Sequence, residues 1–453
     1  MEFRKFISCP LFNKGRDYCK LLESLEKNNL DFKKIDEKAK DRTIWNRLSE
    51  LTLIAEKYIV YNRIISDKFL FNSFLLQEYN DRNLNSHFIN TFSDAERYIN
   101  NKPQDKVKLN KLSDLNTNCL KYLSMINDSA GYNKYFFELN RTFIPLLLLE
   151  FLEKLILTWE LKVPKPSFND SSLEDVFENI DFEKILSILK SRIPEYYHLV
   201  AFNYFIYKSL EEPHNNDHYM QAKKMFIVLQ NKVSKEYLHS LYVNMINSLI
   251  NMRNKNHLNV HEDLFFIIKS KLKQGITDEL KSKDFFENLF RDYVFIACSL
   301  NKINWAQNFI KKYSELLPVQ LKDQILGICR GLICFKKGNF TLCSQIMEKL
   351  NSGNPFIYID KAKLIIISSY ELNEIEKCHS VLKSLNEFLR RPRIVQDQLI
   401  YYAKKFSRGV SLLLRLKESP VKKNLLNLEY FLSKENFESV KWISEKMKQL
   451  RIV

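Results

Sequence analysis

Two pairs of histidines stand four residues apart, His214 with His218 and His257 with His261, and imidazoles so placed on one helical face can begin a zinc site. Zinc needs further ligands, and neither pair carries the glutamate of a hydrolytic zinc helix. The first pair also falls in Glu211-Glu-Pro-His-Asn-Asn-Asp217, a stretch that reads as a loop. Both pairs are taken as surface histidines near turns, with no metal bound. Cys329 and Cys334 have Arg330 between them, a cation that favours a thiolate. Cys334, however, occupies an apolar helical face, so a packed thiol is the preferred role, as for Cys343 and Cys378. Gly327, Gly331 and Gly338 are the nearest approach to a phosphate-cradling cluster, and helix packing explains their spacing better. No nucleophile elbow, paired-carboxylate motif or Ser/Lys arrangement stands out. The expectation is a protein without enzymatic activity, cofactor or metal.

Elements that position side chains must then be sought in composition and periodicity. The chain has 453 residues, 45% of them hydrophobic, with 33 Phe and 22 Tyr, which is ample for a large core and excludes a disordered chain. Its 8 Gly and 11 Pro are too few for the many turns of a β-sandwich or barrel, so an all-α fold is expected. Eight cysteines are scattered without a CxxC or a regular spacing, which points to reduced thiols and a cytoplasmic location. The N-terminus lacks the apolar run of a secretory signal. The most apolar segment, Phe143 to Trp159, holds Pro145, Glu150, Glu153 and Lys154. A charge at a bilayer centre costs about 2.5–3.5 kcal/mol on insertion scales, so this segment reads as a buried helix and no membrane insertion is expected. A formal charge of +16 would attract phosphate or acidic protein. A bias toward Lys, Asn and Ile explains the same charge without a patch, and is preferred.

Helical spacing of apolar residues begins at Tyr18, Leu21, Leu22 and Leu25 and resumes at Ile44, Leu48, Leu51, Ala55 and Tyr58. Tyr58-Ile-Val-Tyr61 suits either more helix or a short strand. The strongest punctuation is Lys162 to Ser172, with Pro164 and Pro166. There Ser171 and Glu174 form a capping-box pattern opening a helix through Lys190. The expected organisation is an N-terminal helical domain over 1–163, helical hairpins over 164–275 and a repeat region with capping helices over 276–453.

Three units recur in the last region. Phe290, Tyr293, Val294 and Ala297 precede Ala306, Ile310 and Pro318; Gly327, Gly331 and Cys334 precede Gly338, Phe340, Cys343, Met347 and Pro355; Ala362, Ile365, Ile366 and Ser369 precede Cys378 and Leu382. The small residues Ala306, Cys343 and Cys378 are 37 and 35 residues apart (343 − 306 and 378 − 343). This pattern resembles tetratricopeptide repeats, whose period is about 34 residues. The resemblance implies an α-α superhelix of stacked hairpins whose small residues allow close helix crossings. The large aromatic that opens the first helix is replaced by Gly327 in the second unit, and the third lacks its closing proline, having only Arg390-Arg-Pro392. The whole chain also resembles an uncharacterised family of bacterial all-helical proteins, through the opening Phe6-Ile-Ser-Cys-Pro-Leu-Phe-Asn13 and the closing Trp442 to Leu450. That second resemblance implies a fold and no activity.

Two binding surfaces follow. The repeat resemblance places Arg291, Phe295, Phe335, Lys336, Lys363, Ile367 and Tyr370 along a groove, where aromatics beside cations suit an acidic, partly apolar peptide. The competing account has Ser411 to Leu416, or the last helix, covering those aromatics. The other surface is N-terminal. Within 30–65, Asp41 to Leu51 followed by Tyr58–Tyr61 resembles the recognition helix and wing of a winged helix, with Arg42, Asn46 and Arg47 toward DNA. An ordinary amphipathic helix explains those residues and is preferred. The expected function is binding of protein or peptide partners in the cytoplasm, and the alternative is a DNA-associated regulator.

Overall fold

The computed structural model describes residues 2–13, 16, 18–27, 41–162, 171–256, 260–277, 286–351, 355–390, 397–435 and 439–450. Every regular element among them is a helix, and none is a strand. The chain divides into two compact units, Met1–Ala201 with Val228–Ser234, and Phe202–Ile227 with Lys235–Val453. Residues 163–170, which hold Pro164 and Pro166 of the expected boundary, lie outside the described residues.

The first unit carries α1 (Glu2–Ser8), α2 (Pro10–Asn13), α3 (Cys19–Lys27), α4 (Asp41–Ser66), α5 (Lys68–Asp81), α6 (Asn85–Asn100) and α7 (Lys106–Met125). It continues with α8 (Ser129–Lys162), α9 (Ser172–Glu178), α10 (Phe182–Arg192) and the start of α11 (Pro194–Glu211). Phe6, Ile7, Tyr18, Leu25, Leu51 and Ile54 bring α1, α3 and α4 together. A second core joins α5, α6 and α7 through Phe69, Leu76, Phe88, Ile99, Leu115 and Tyr122. Residues 228–234 are tied to this unit by backbone: Gln104 N–H donates to the Lys232 carbonyl at 2.8 Å, and Ser234 N–H to Asp105 at 3.2 Å.

Two local expectations need correction. Ser171 makes no capping bond to the backbone of α9, and its hydroxyl bonds Asp175 instead, at 3.1 Å. Glu174 is drawn away to Lys162 Nζ at 2.6 Å, a charged partner that outcompetes the neutral N–H a capping box offers. The helix also stops early. Asp181 caps α10 by accepting from Lys184 N–H, so the single helix expected through Lys190 is two. Tyr58–Tyr61, open between helix and strand, lies inside the 26 residues of α4.

The second unit begins in α11 and contains all but the last two residues of α12 (Asn216–Leu229), then α13 (Lys235–Asn256), α14 (His261–Lys273), α15 (Phe286–Ser299), α16 (Ile303–Tyr313) and α17 (Val319–Lys336). Then follow α18 (Phe340–Lys349), α19 (Pro355–Glu371), α20 (Ile375–Arg390), α21 (Asp397–Glu418), α22 (Lys422–Lys434) and α23 (Val440–Leu450). From α15 onward each helix packs on the next, and α15 also meets α17 as α17 meets α19.

The turns inside three helix pairs are built alike. Asn301, Gly338 and Asn373 have φ of 59°, 75° and 60°, the left-handed region that ends a helix and that Gly and Asn reach at least cost. At each, the next residue's N–H reaches back five positions to a carbonyl. The three bonds are Lys302 to Ala297 at 2.8 Å, Asn339 to Cys334 at 3.0 Å and Glu374 to Ser369 at 2.8 Å. Five residues beyond each turn residue stand Ala306, Cys343 and Cys378, all fully buried. Gly331 is held small by its neighbour: a Cβ there would come within 2.5 Å of Met347 Cε.

Candidate partner-binding surface

The groove read from the sequence is largely filled. Arg291 on α15 is mostly covered, its side chain only 17% exposed, and its Nη1 lies 2.7 Å from Asp360 Oδ2 while Nη2 lies 2.8 Å from Asp292 Oδ1. Burial opposes its charge, and the two carboxylates more than offset that, so the guanidinium is held firmly protonated. It ties α15 to α19 and is not offered to a ligand. Ile367 and Tyr370 on α19 are 7% and 5% exposed and belong to a core shared with α21, α22 and α23. The Trp442 ring of α23 stands edge-on to Tyr370 at 5.4 Å, and Lys417 of α21 lies 4.4 Å from its centroid. The last helix is fixed there because Trp442 Nε1 and Lys446 Nζ both bond Glu371, at 2.7 and 2.6 Å. Covering by 411–416 and by the last helix therefore overturns the open groove at Ile367 and Tyr370.

The remaining groove positions are divided. Phe335 on α17 is half-buried against Phe340, with ring centroids 5.9 Å apart. Lys363 on α19 sits 5.9 Å from the buried Phe406 ring of α21. Phe295 on α15 is half-buried with its ring 6.1 Å from His261. Lys336 is exposed. No continuous open trough joins these seven residues.

A different cleft is open beside them. About 540 Å³ in volume, it lies among α16, α17 and the start of α18. Gln307 and Ile310 come from α16, Arg330, Ile333, Cys334 and Lys337 from α17 and its cap, and Asn339 and Leu342 from the next turn. Its apolar part is Ile310, Ile333, Cys334 and Leu342, the last 41% exposed. Helical spacing explains the lining, since positions 330, 333, 334 and 337 recur on one face of α17. Arg330 and Lys337 are exposed and neither has an acidic partner among the described residues. Asn339 is occupied as the cap of α18, accepting from Leu342 N–H at 3.1 Å. Burial raises the Cys334 thiol, with Lys337 only partly opposing it, so Cys334 contributes a thiol surface and not a thiolate. The sequence places Cys334 in the core and offers Arg330 only as a neighbour of the thiols; the signal that joins Arg330 to Lys337 is their shared helical face.

Other candidates also find their places. His218 opens α12 and lies 3.1 Å from Glu212, while exposed His214 sits in the preceding turn, so the two are not paired on one helical face. Residue 257 lies outside the described residues, and His261 starts α14. Cys329 is fully buried and its thiol is pushed up by burial, more strongly than Arg291 draws it down. Arg42, Asn46 and Arg47 are exposed on the first turns of α4. The strand that a wing would need is helix at Tyr58–Tyr61, so the winged-helix reading keeps its basic helix and loses its wing; residues 30–40 of that element lie outside the described residues. No helix of the described residues is long and apolar enough to cross a membrane.

No protein-family model, no curated protein and no solved structure matches this chain.

Proposed function

We propose that the protein is a non-catalytic, tetratricopeptide-like helical-repeat protein of the cytoplasm that holds a protein or peptide partner. The partner would sit in the cleft among α16, α17 and α18 in place of the groove first expected. The observation that carries this reading is the combination of an open apolar floor with Arg330 and Lys337, two exposed cations without acidic partners among the described residues. An acidic side chain of a partner would meet them while a neighbouring Leu or Phe covered Ile333 and Leu342. The recurrent turns at Asn301, Gly338 and Asn373, each five residues before a buried small residue, support the repeat part of the reading. Eight free thiols, five of them buried, fit a reducing compartment.

The test is fluorescence polarisation of the full chain with a pool of synthetic decapeptides mixing Glu and Leu, against pools with Glu replaced by Gln and with Leu replaced by Ser. Binding of the Glu/Leu pool alone, lost at least tenfold in the Arg330→Glu, Lys337→Glu double variant, is the expected result. Equal binding by that variant, or none by the parent, contradicts the cleft reading. A 20-base-pair duplex titrated with salt in the same assay addresses the DNA-associated alternative, which requires binding that falls steeply as salt rises.

A further inference from the structure

One face of α8 is apolar, exposed and patterned for a partner of its own kind. Phe143, Leu147, Leu157 and Leu161 are 49, 55, 45 and 46% exposed. At about 100° per residue they fall within roughly 80° of the helix circumference, a stripe about 27 Å long. Glu150 and Lys154 stand midway along it. The six positions 143, 147, 150, 154, 157 and 161 are spaced 4, 3, 4, 3, 4. That is the seam of a two-helix coiled coil, and it reads the same in both directions. Its four large side chains leave on the order of 400 Å² of apolar surface in water, the size of the largest patch on a typical monomer, which is often a functional one.

We propose that α8 is the interface of a homodimer, pairing antiparallel with α8 of a second copy about a twofold axis at the level of position 152. A twofold interface must be self-complementary, each contact occurring twice. In this register Glu150 faces Lys154 of the second copy and Lys154 faces its Glu150. Leu147 meets Leu157, and Phe143 meets Leu161, again twice. The charges fit this use. Lys154 has no acidic partner among the described residues. Glu150 shares Lys106 with Glu153, and its own side chain remains 46% exposed. Counting both copies, the stripe covers about 800 Å² of apolar area, half of the ~1,600 Å² that a standard interface buries, before its flanks are included. A membrane surface would carry Lys154 into an apolar phase with no carboxylate to meet it, and Glu150 with only the Lys106 it shares with Glu153. A second copy neutralises both and uses them to set register.

Sedimentation equilibrium of the full chain at micromolar concentration tests it, with a mass of twice 54.1 kDa expected. Lys154→Glu, which sets like charges together twice, should weaken the dimer at least tenfold. Exchange of both charges, Glu150→Lys with Lys154→Glu, should return it to within about threefold of the parent. Leu147→Cys together with Leu157→Cys should cross-link two copies under mild oxidation, while either substitution alone should not. These positions are exposed, and an unchanged far-ultraviolet melting curve verifies that each variant folds. A parent that stays monomeric overturns the proposal, as does a dimer unaffected by Lys154→Glu, or one not restored by the charge exchange. A monomer that instead sediments with anionic phospholipid vesicles overturns it in favour of a membrane-surface role.

Discussion

The α5–α6 pair in the first unit and the α15–α16 pair in the second turn the chain in the same way and then pack differently. Asn83 has φ of 58° and Leu84 N–H reaches the Tyr79 carbonyl, matching Asn301 at 59° and the bond from Lys302 to Ala297. Five residues on, the first pair places Phe88 and the second places Ala306, both buried. Phe88 stacks on Tyr122 of α7 at 4.2 Å, filling a three-helix core with an aromatic ring. Ala306, like Cys343 and Cys378, is a small side chain with no exposure. The turn is a general helix-ending device, and what differs between the two pairs is the side chain five residues beyond it.

Several substitutions would break or sharpen that contrast. The largest effects are expected at Arg291, whose bond to Asp360 spans α15 and α19, and at Phe88. Arg291→Ala should lower stability in urea unfolding by about 3 kcal/mol, since Asp360, only 24% exposed, is left without its cation. A loss below about 1 kcal/mol would mean the pair is not what joins these helices. Phe88→Ala should cost a similar ~3–5 kcal/mol through the cavity it opens, measured by the same unfolding. A tolerated alanine there would erase the distinction between the two units. Gly338→Ala is expected to cost about 1 kcal/mol. With φ of 75° and no atom within 4 Å of the added Cβ, the penalty is backbone strain alone. Gly338→Asn should recover part of that loss, because Asn301 and Asn373 already occupy the equivalent turns.

The smallest expected effect concerns pH. Glu212 is held below the ordinary carboxylate value, first by its hydrogen bond from Lys208 and then by His218. A depressed carboxylate stabilises the fold above its unfolded value, near 4.5, and that contribution is lost as pH falls through the folded value. Glu212→Gln should therefore slightly flatten the decline of the melting temperature below pH ~4.5. Solvent around this half-exposed group keeps the effect small.

What could be read from residues alone was what periodicity carries locally. The helices around Phe290, Cys343 and Ala362, the break at Pro318 and the glycine turn at Gly338 depend on neighbours a few positions away. The fate of a helix face does not. Tyr370 is covered by Trp442, in a helix held through Glu371 at a separation of 71 residues, and nothing in the pattern of α19 reveals that. Arg291 looked like a surface cation because Asp360, its partner, is 69 residues distant. The capping box failed for a related reason, its Glu174 having a better partner in Lys162. Arg330 and Lys337 were legible as neighbours on one face, but only the placement of Ile310 and Leu342 beside them makes a cleft.

The claim that three helix pairs share one crossing is tested most directly by urea unfolding midpoints for small and large residues at the three crossing positions. Ala306→Leu, Cys343→Leu and Cys378→Leu should each destabilise the chain by about 1–3 kcal/mol, while Cys343→Ala and Cys378→Ala should cost about 1 kcal/mol or less. Leucine accepted without loss at any one of the three would contradict the shared geometry.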